Sequence, residues 1–250
     1  MTKAESTPTT PYGTSCEATL NLLRTGDLQV AGRLVDASNA TLYCTVETAA
    51  ESMICIYKPR AGERPLWDFP SGTLSLREVA AYQISEALGW GIVPPTVWRD
   101  GPVGPGMVQQ WVDVDQDIDL VELVRSDRED LQRIAVFDVV INNSDRKGGH
   151  ILPTPGGRLF GIDHGVAFSV ESKVRTLLWQ WEGDLVPKPV LDDLQRLARA
   201  LDAGQVRDTL RALLSSAEVA AVERRVDQLL VGKRHPGPSP DWPAIPWPPF

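Results

Sequence analysis

Two aspartates 18 positions apart, Asp145 and Asp163, are the residues of this 250-residue chain best disposed for chemistry. The first lies in Asn142-Asn-Ser-Asp-Arg-Lys-Gly-Gly-His150 and the second in Gly161-Ile-Asp-His-Gly165. Apolar pairs adjoin both, Ile151-Leu152 after the first and Leu159-Phe160 before the second, and the intervening Pro153-Thr-Pro-Gly-Gly157 has the composition of a turn. The order is loop, short strand, turn, short strand, loop. A hairpin of that kind returns both loops to one end and places both carboxylates in one cleft. Paired acids there suit phosphoryl transfer: one orients the attacking hydroxyl, and the other holds the metal that neutralises charge on the transferring group.

The motif pair resembles that of the phosphoinositide 3-/4-kinase-like branch of the protein-kinase superfamily. That branch carries an Asp-Arg-His catalytic loop, an Asn five positions after its Asp, and then an Asp-Phe-Gly or Asp-Asn-Gly metal loop. Asp145-Arg146 matches the first motif and Asp163-His164-Gly165 the second. The resemblance runs from about residue 28 to 231 and extends to an actinobacterial group related to phosphoinositide kinases. It implies an α+β, two-lobed protein-kinase-like fold, a small antiparallel-sheet lobe plus a helical lobe. The implied activity is transfer of the γ-phosphate of ATP to a hydroxyl of an unknown protein, lipid or small-molecule acceptor, with Mg²⁺ or Mn²⁺. The alternative is a nucleotide-binding pseudokinase, or an interaction scaffold without transfer activity.

On that resemblance Asp145, Arg146 and Lys147 form the catalytic set. Asp145 takes or orients the acceptor proton, Arg146 braces the loop, and Lys147, in place of the usual His, contacts the γ-phosphate as a point charge. Asp163 is the principal metal ligand, with His150 and Asn143 as further candidates. His150 stands where the family has its metal-binding Asn. Hard Mg²⁺ prefers oxygen, whereas imidazole suits Mn²⁺ or Zn²⁺. His150 therefore binds a softer metal, shapes the loop, or marks lost activity. Asn143 is either a second oxygen ligand or a loop-bracing amide.

The elements that must position these residues are legible as patterns. Three strand-like runs, Leu28–Val35, Thr41–Val46 and Met53–Lys58, form an antiparallel meander. A helix from Leu74 to Leu88 has Leu76, Val79, Ala80, Ile84 and Leu88 on its apolar face and is stopped by Gly89. Within the implied fold, Ser38 and Asn39 in the first turn face the nucleotide phosphates. Lys58 at the end of the third strand pairs with Glu78, Glu86 being the runner-up. Met107–Val112 leads into a hinge where Gln110, Trp111 and Val112 offer backbone groups to adenine, and Arg99–Gly106 reads as a Gly/Pro turn. Ser126-Asp-Arg-Glu129 has the capping-box pattern and starts a helix to Ile141. Asp138 falls on its apolar face and, as a buried carboxylate, must have partners; Arg146 or loop N–H groups are the candidates. Val166–Glu182 is the activation or substrate loop, with Lys173, Arg175, Trp179 and Trp181. Three further amphipathic helices follow, the last opened by a second capping box, Ser215-Ser-Ala-Glu218.

These readings divide the chain into a disordered lead-in (1–15), a small nucleotide-binding lobe (16–112), a large catalytic lobe (113–234) and a Pro/Trp-rich tail (235–250). The tail is a polyproline segment, wraps back on the large lobe, or engages a protein partner. The net charge of −8 argues against a nucleic-acid surface and against docking on anionic lipid. Three unclustered cysteines, no signal-type apolar run and no membrane-length apolar stretch point to a cytoplasmic protein.

Overall fold

The computed structural model describes residues 13–34 and 39–250, with side chains from residue 17 onward. Ser38 and residues 1–12 of the expected lead-in lie outside the described residues. Helix α1 (Gly13–Thr25) precedes strands β1 (Asp27–Leu34), β2 (Thr41–Glu47) and β3 (Ser52–Pro59), which pair antiparallel. Their period of two sends Cys44, Val46, Cys55 and Tyr57 into the core. Burial pushes the thiol of Cys44 up to about 11, and burial, with Cys44 adding to it, pushes Cys55 up to about 12.

The expected Gly/Pro turn at Arg99–Gly106 is tighter than its composition suggests: β4 (Thr96–Gly101) and β5 (Gly104–Gln110) extend into it and form a hairpin that reverses at residues 102 and 103. The sheet therefore has five strands in the order β1-β2-β3-β5-β4. Gly106 is a glycine because a Cβ there would meet the Lys58 carbonyl and Pro59 Cα of the neighbouring strand. Helix α2 (Leu74–Leu88) has the expected bounds, and Gly89 ends it at φ 71° in the left-handed region.

Below the sheet lie α3 (Leu120–Arg125), α4 (Glu129–Ile141), the hairpin β6 (Ile151–Pro153) with β7 (Leu159–Gly161), and α5 (Lys188–Asp202), α6 (Gln205–Arg211) and α7 (Ser216–Gly232). The acidic run before α3 is not merely a linker, because Asp119 caps that helix by accepting from the N–H groups of Val121 and Glu122. Ser126 does not cap α4. It closes α3, its hydroxyl donating to the Leu123 carbonyl at 2.7 Å, and α4 starts at Glu129 without a side-chain cap. The second capping box forms as expected, Ser215 with Glu218. No helix among the described residues is long and apolar enough to cross a membrane.

The tail folds back on the body. The Ala244 carbonyl accepts from Thr176 N–H at 3.1 Å and from Trp179 Nε1 at 2.9 Å. Further on, the Pro249 carbonyl accepts from Gly148 N–H at 2.8 Å.

Helix α2 is bolted to the lower half through Arg77. Its buried guanidinium donates to the Ala167 carbonyl at 2.7 Å and pairs with Glu218, the same carboxylate that completes the α7 cap. Breaking a buried pair by removing one partner strands a charge, which costs about 3 kcal/mol or more. Glu218→Ala should lower the unfolding free energy by about that amount in urea denaturation. A loss under about 1 kcal/mol would class the pair with surface bridges.

Candidate active site

Lys58 leaves the end of β3 and lies between two carboxylates from opposite halves of the molecule. Its Nζ is 2.5 Å from Glu78 Oε1 on α2 and 2.9 Å from Asp163 Oδ1 in the loop after β7. Burial alone would lower the ammonium's pKa, but Asp163 and Glu78 reverse that and raise it. Lys58 in turn holds Asp163 well below the usual carboxylate range, against the opposing effect of burial. Burial lifts Glu78, against the pull of Lys58. The second oxygen of Glu78 accepts from His164 N–H at 2.8 Å, so the pair also fixes the backbone beside Asp163. Asp163 has φ 61°, a left-handed conformation uncommon for a non-glycine residue and frequent at functional sites. Glu86, the runner-up partner, is exposed and takes no part in this pair.

The loop carrying Asp145 is braced from beneath. Arg146 and Asp138 are both wholly buried, with Nη2 to Oδ1 at 2.9 Å and Nε to Oδ2 at 3.1 Å. Arg146 Nη1 donates to the Ile162 carbonyl at 3.0 Å, so one guanidinium ties α4 to both acid-bearing loops. Its Nη2 also lies 2.7 Å from His164 Nε2. Arginine can only donate, so that nitrogen accepts and the buried imidazole is neutral. Burial, followed by Arg146, depresses His164 accordingly. Arg146, placed above in the catalytic set, therefore positions the loop and does not face the cleft.

Asn143, read above as ligand or brace, is placed as a brace: its Nδ2 donates to Asp138 Oδ1 at 2.9 Å and its Oδ1 accepts from Asp145 N–H at 3.1 Å, so both of its polar atoms are engaged within the loop.

Above the braced loop opens a cleft of about 380 Å³. Leu34, Thr41 and Ile56 of the sheet face Leu152 and Ile162 across it, an apolar slot for a flat ring. Gln110, Trp111 and Val112 line its rear. The N–H groups of Gln110 and Trp111 already donate to Pro95 and Ile54, so Val112 is the one of the three left for a base edge. Asn39 lines the cleft while its side-chain oxygen accepts from Arg64 N–H at 2.8 Å. At the polar end stand Lys58, Asp145, Lys147, His150 and Asp163. Lys147 Nζ is 3.5 Å from Asp145 Oδ2. Burial raises the Asp145 pKa, with Lys147 and His150 opposing it.

His150 contributes a directed lone pair. Its Nδ1 is 2.8 Å from the Asp145 carbonyl, which can only accept, so Nδ1 carries the proton. Burial pushes the ring's pKa down, against the pull of Asp163. When the ring is neutral, Nε2 presents its lone pair 3.4 Å from Asp163 Oδ2. Two donors facing one another at that distance are close to the roughly 3 Å separation of adjacent ligands around a six-coordinate ion with bonds of about 2.1 Å. One ammonium shared by two carboxylates also leaves negative charge for such an ion to balance. No group of three His, Cys, Asp or Glu side chains that could hold a metal occurs among the described residues.

Arg77 escaped the sequence reading, because it carries no pattern distinguishing it from an ordinary helix residue. In the substrate loop, Lys173 is neutralised by Asp68 at 2.7 Å and Trp181 Nε1 donates to Asp127 at 2.8 Å, so both pin the chain. Arg175 differs. Its backbone is held on either side of Asp145, its N–H donating to Asn143 and its carbonyl accepting from Arg146. Its Nε is buried without a hydrogen-bond partner among the described residues.

A small antiparallel sheet over a helical half, with a lysine–glutamate pair at the cleft between them and two loop aspartates below it, is a protein-kinase-like fold. Known structures share that fold. The Golgi casein kinase with Mn/ADP bound superposes with a TM-score of 0.57 at 14% identity, over 87% of this chain and 75% of that one. A hydra Fam20 structure with sugar gives 0.56 at 12% identity over 87% of each chain. The chain belongs to the family of protein Rv2133c of Mycobacterium tuberculosis, to which it is 43% identical over 264 residues, covering 92% of this chain and 94% of the relative. It is also 29% identical over 166 residues to the phosphatidylinositol 4-kinase gamma 4 of Arabidopsis thaliana, a match spanning 56% of this chain and 29% of that protein. No family model matches the chain.

The same geometry explains a glycine. A Cβ on Gly148 would collide with the ring of Phe250 at the end of the tail. Gly148→Ala should release the tail from the Asp145 loop, and limited proteolysis should then cut within residues 236–250 under conditions that leave the parent chain intact. An unchanged digestion pattern would contradict this packing.

Proposed function

We propose that this chain is an ATP- and divalent-metal-dependent phosphotransferase that moves the γ-phosphate to a hydroxyl acceptor. The observation that carries the reading is Lys58, held between Glu78 and Asp163 at the mouth of the cleft that also receives Asp145. Residues 16–112 would hold the nucleotide and residues 113–234 would supply the catalytic loops.

Each residue then has a task. The base lies in the apolar slot with its edge at Val112. Lys58 neutralises the α- and β-phosphates and is kept in place by Glu78. Lys147 offers a point charge to the γ-phosphate. Asp145, whose pKa burial raises, orients the acceptor hydroxyl and takes its proton. The acceptor oxygen forms the new bond to phosphorus, the bond from phosphorus to the bridging oxygen breaks, and ADP leaves with the electron pair. Asp163 and His150 would hold the metal ion, which when bound neutralises charge on the β- and γ-phosphates. The imidazole ligand favours Mn²⁺ over Mg²⁺ relative to a site built from oxygen alone. Arg175, beside Asp145 and outside the cleft, is the basic residue of the substrate loop available to an acceptor.

The partial match to a phosphatidylinositol 4-kinase supports kinship with the phosphoinositide-kinase branch. The kinase-like neighbours support phosphotransfer more generally. Burial of Cys44 and Cys55 as free thiols supports a reducing, cytoplasmic setting.

Asp145→Asn tests the assignment of the base. ATP affinity by calorimetry should stay within about two-fold, while turnover, read as ADP release with water or a screened hydroxyl compound as acceptor, falls by about 10² or more. Equal turnover in the variant would remove Asp145 from the chemistry. His150→Asn should shift the metal preference of ATP binding from Mn²⁺ toward Mg²⁺; an unaltered preference would leave His150 a loop-shaping residue.

A further inference from the structure

On the far side of the substrate loop from the cleft lies a separate cavity of about 140 Å³ between α7, that loop and the start of the tail. Arg225 and Arg234 line it together with Ser172, Gln228 and Ser239, and no carboxylate is among its lining residues. Arg225 is anchored by backbone. Its Nε donates to the Val140 carbonyl at 2.9 Å and its Nη1 to the Ser169 carbonyl at 3.2 Å. The remaining nitrogen, Nη2, is buried and has no hydrogen-bond partner among the described residues. Burial, with Arg224 adding to it, lowers Arg225 to about 10, so the group is still charged at neutral pH. A buried guanidinium with no opposing carboxylate and an unused donor is costly unless something anionic meets it. Arg234, also on the cavity lining, uses Nη1 on the Gly183 carbonyl at 2.6 Å and is exposed.

We propose that this cavity is a binding site for a small tetrahedral oxyanion, in the first instance phosphate, held by Arg225 and Arg234 with Ser239 and Gln228 at its walls. Two guanidinium groups suit such an anion because they present planar, charge-assisted donors to several oxygens at once. The bound anion joins three segments that meet there: α7 through Arg225, the substrate loop through Ser172, and the tail through Ser239. It thereby stiffens the loop whose other residues, Arg175 and Thr176, flank the catalytic aspartate. The site is distinct from the nucleotide cleft and stands whether or not the chain transfers phosphate.

The test is calorimetry and thermal unfolding of the full chain with sodium phosphate, compared with sodium chloride at equal ionic strength, in the presence of a saturating non-hydrolysable ATP analogue so that the cleft is occupied. Saturable binding with a raised unfolding temperature is expected. Arg234→Gln should weaken it by about ten-fold or more. Ser239→Glu, which supplies an internal carboxylate to Arg225, should abolish it without loss of stability. Arg225→Ala is a poorer probe because it also frees two buried carbonyls. Binding of glycerol 3-phosphate as tightly as phosphate would assign the site to the phosphate group of an ester, and preference for inorganic phosphate to the free anion; both support an oxyanion site. Stabilisation no greater than that by chloride, or equal phosphate affinity in both variants, would overturn it.

Discussion

The arrangement depends on one ammonium group between two carboxylates. Lys58 comes from the sheet, Glu78 from the helix packed on it, and Asp163 from the loops below. Alone, each of these charges would be expensive to withdraw from water. Together they set the distance between the halves of the molecule and leave negative charge at the cleft. A metal ion would balance that residual charge, and His150 Nε2 stands beside it, 3.4 Å from Asp163 Oδ2.

Two further buried cations make the arrangement rigid. Arg146, on Asp138, links both acid-bearing loops to α4 and reaches His164, whose N–H is held by Glu78. Arg77, adjacent to Glu78 in sequence, fastens α2 to α7 through Glu218. The lysine–glutamate pair therefore does not rest on the sheet alone. Its helix is also held from the opposite half. The tail adds a third restraint by bonding to the Asp145 loop at Gly148 and to the loop after Asp163 at Thr176.

The parts of this account that were legible in the sequence are those governed by local pattern. The bounds of α2 followed from its apolar spacing and Gly89, and the β6–β7 hairpin from its Pro/Gly turn. The buried partner of Asp138 followed from a carboxylate on an apolar face. The parts that were not legible turn on contacts made over long distances. Gly106 of β5 looks like a turn residue but is a strand residue, because the close approach of β3 leaves no room for a Cβ there. Asn143 has the composition of a ligand and the geometry of a brace, a distinction that rests on where two hydrogen bonds go. Arg77 and Arg225 look like solvated helix residues until α7 and the substrate loop are packed around them.

The most direct measurement of the central claim is calorimetric titration of ATP into the full chain, with and without Mn²⁺, for the parent protein and Lys58→Met. The account predicts one site per chain, affinity that depends on the metal, and a loss of about ten-fold or more in the variant. Metal-independent binding, or equal affinity in the variant, would mean that the charge cluster at the cleft has some other role than to receive a nucleotide.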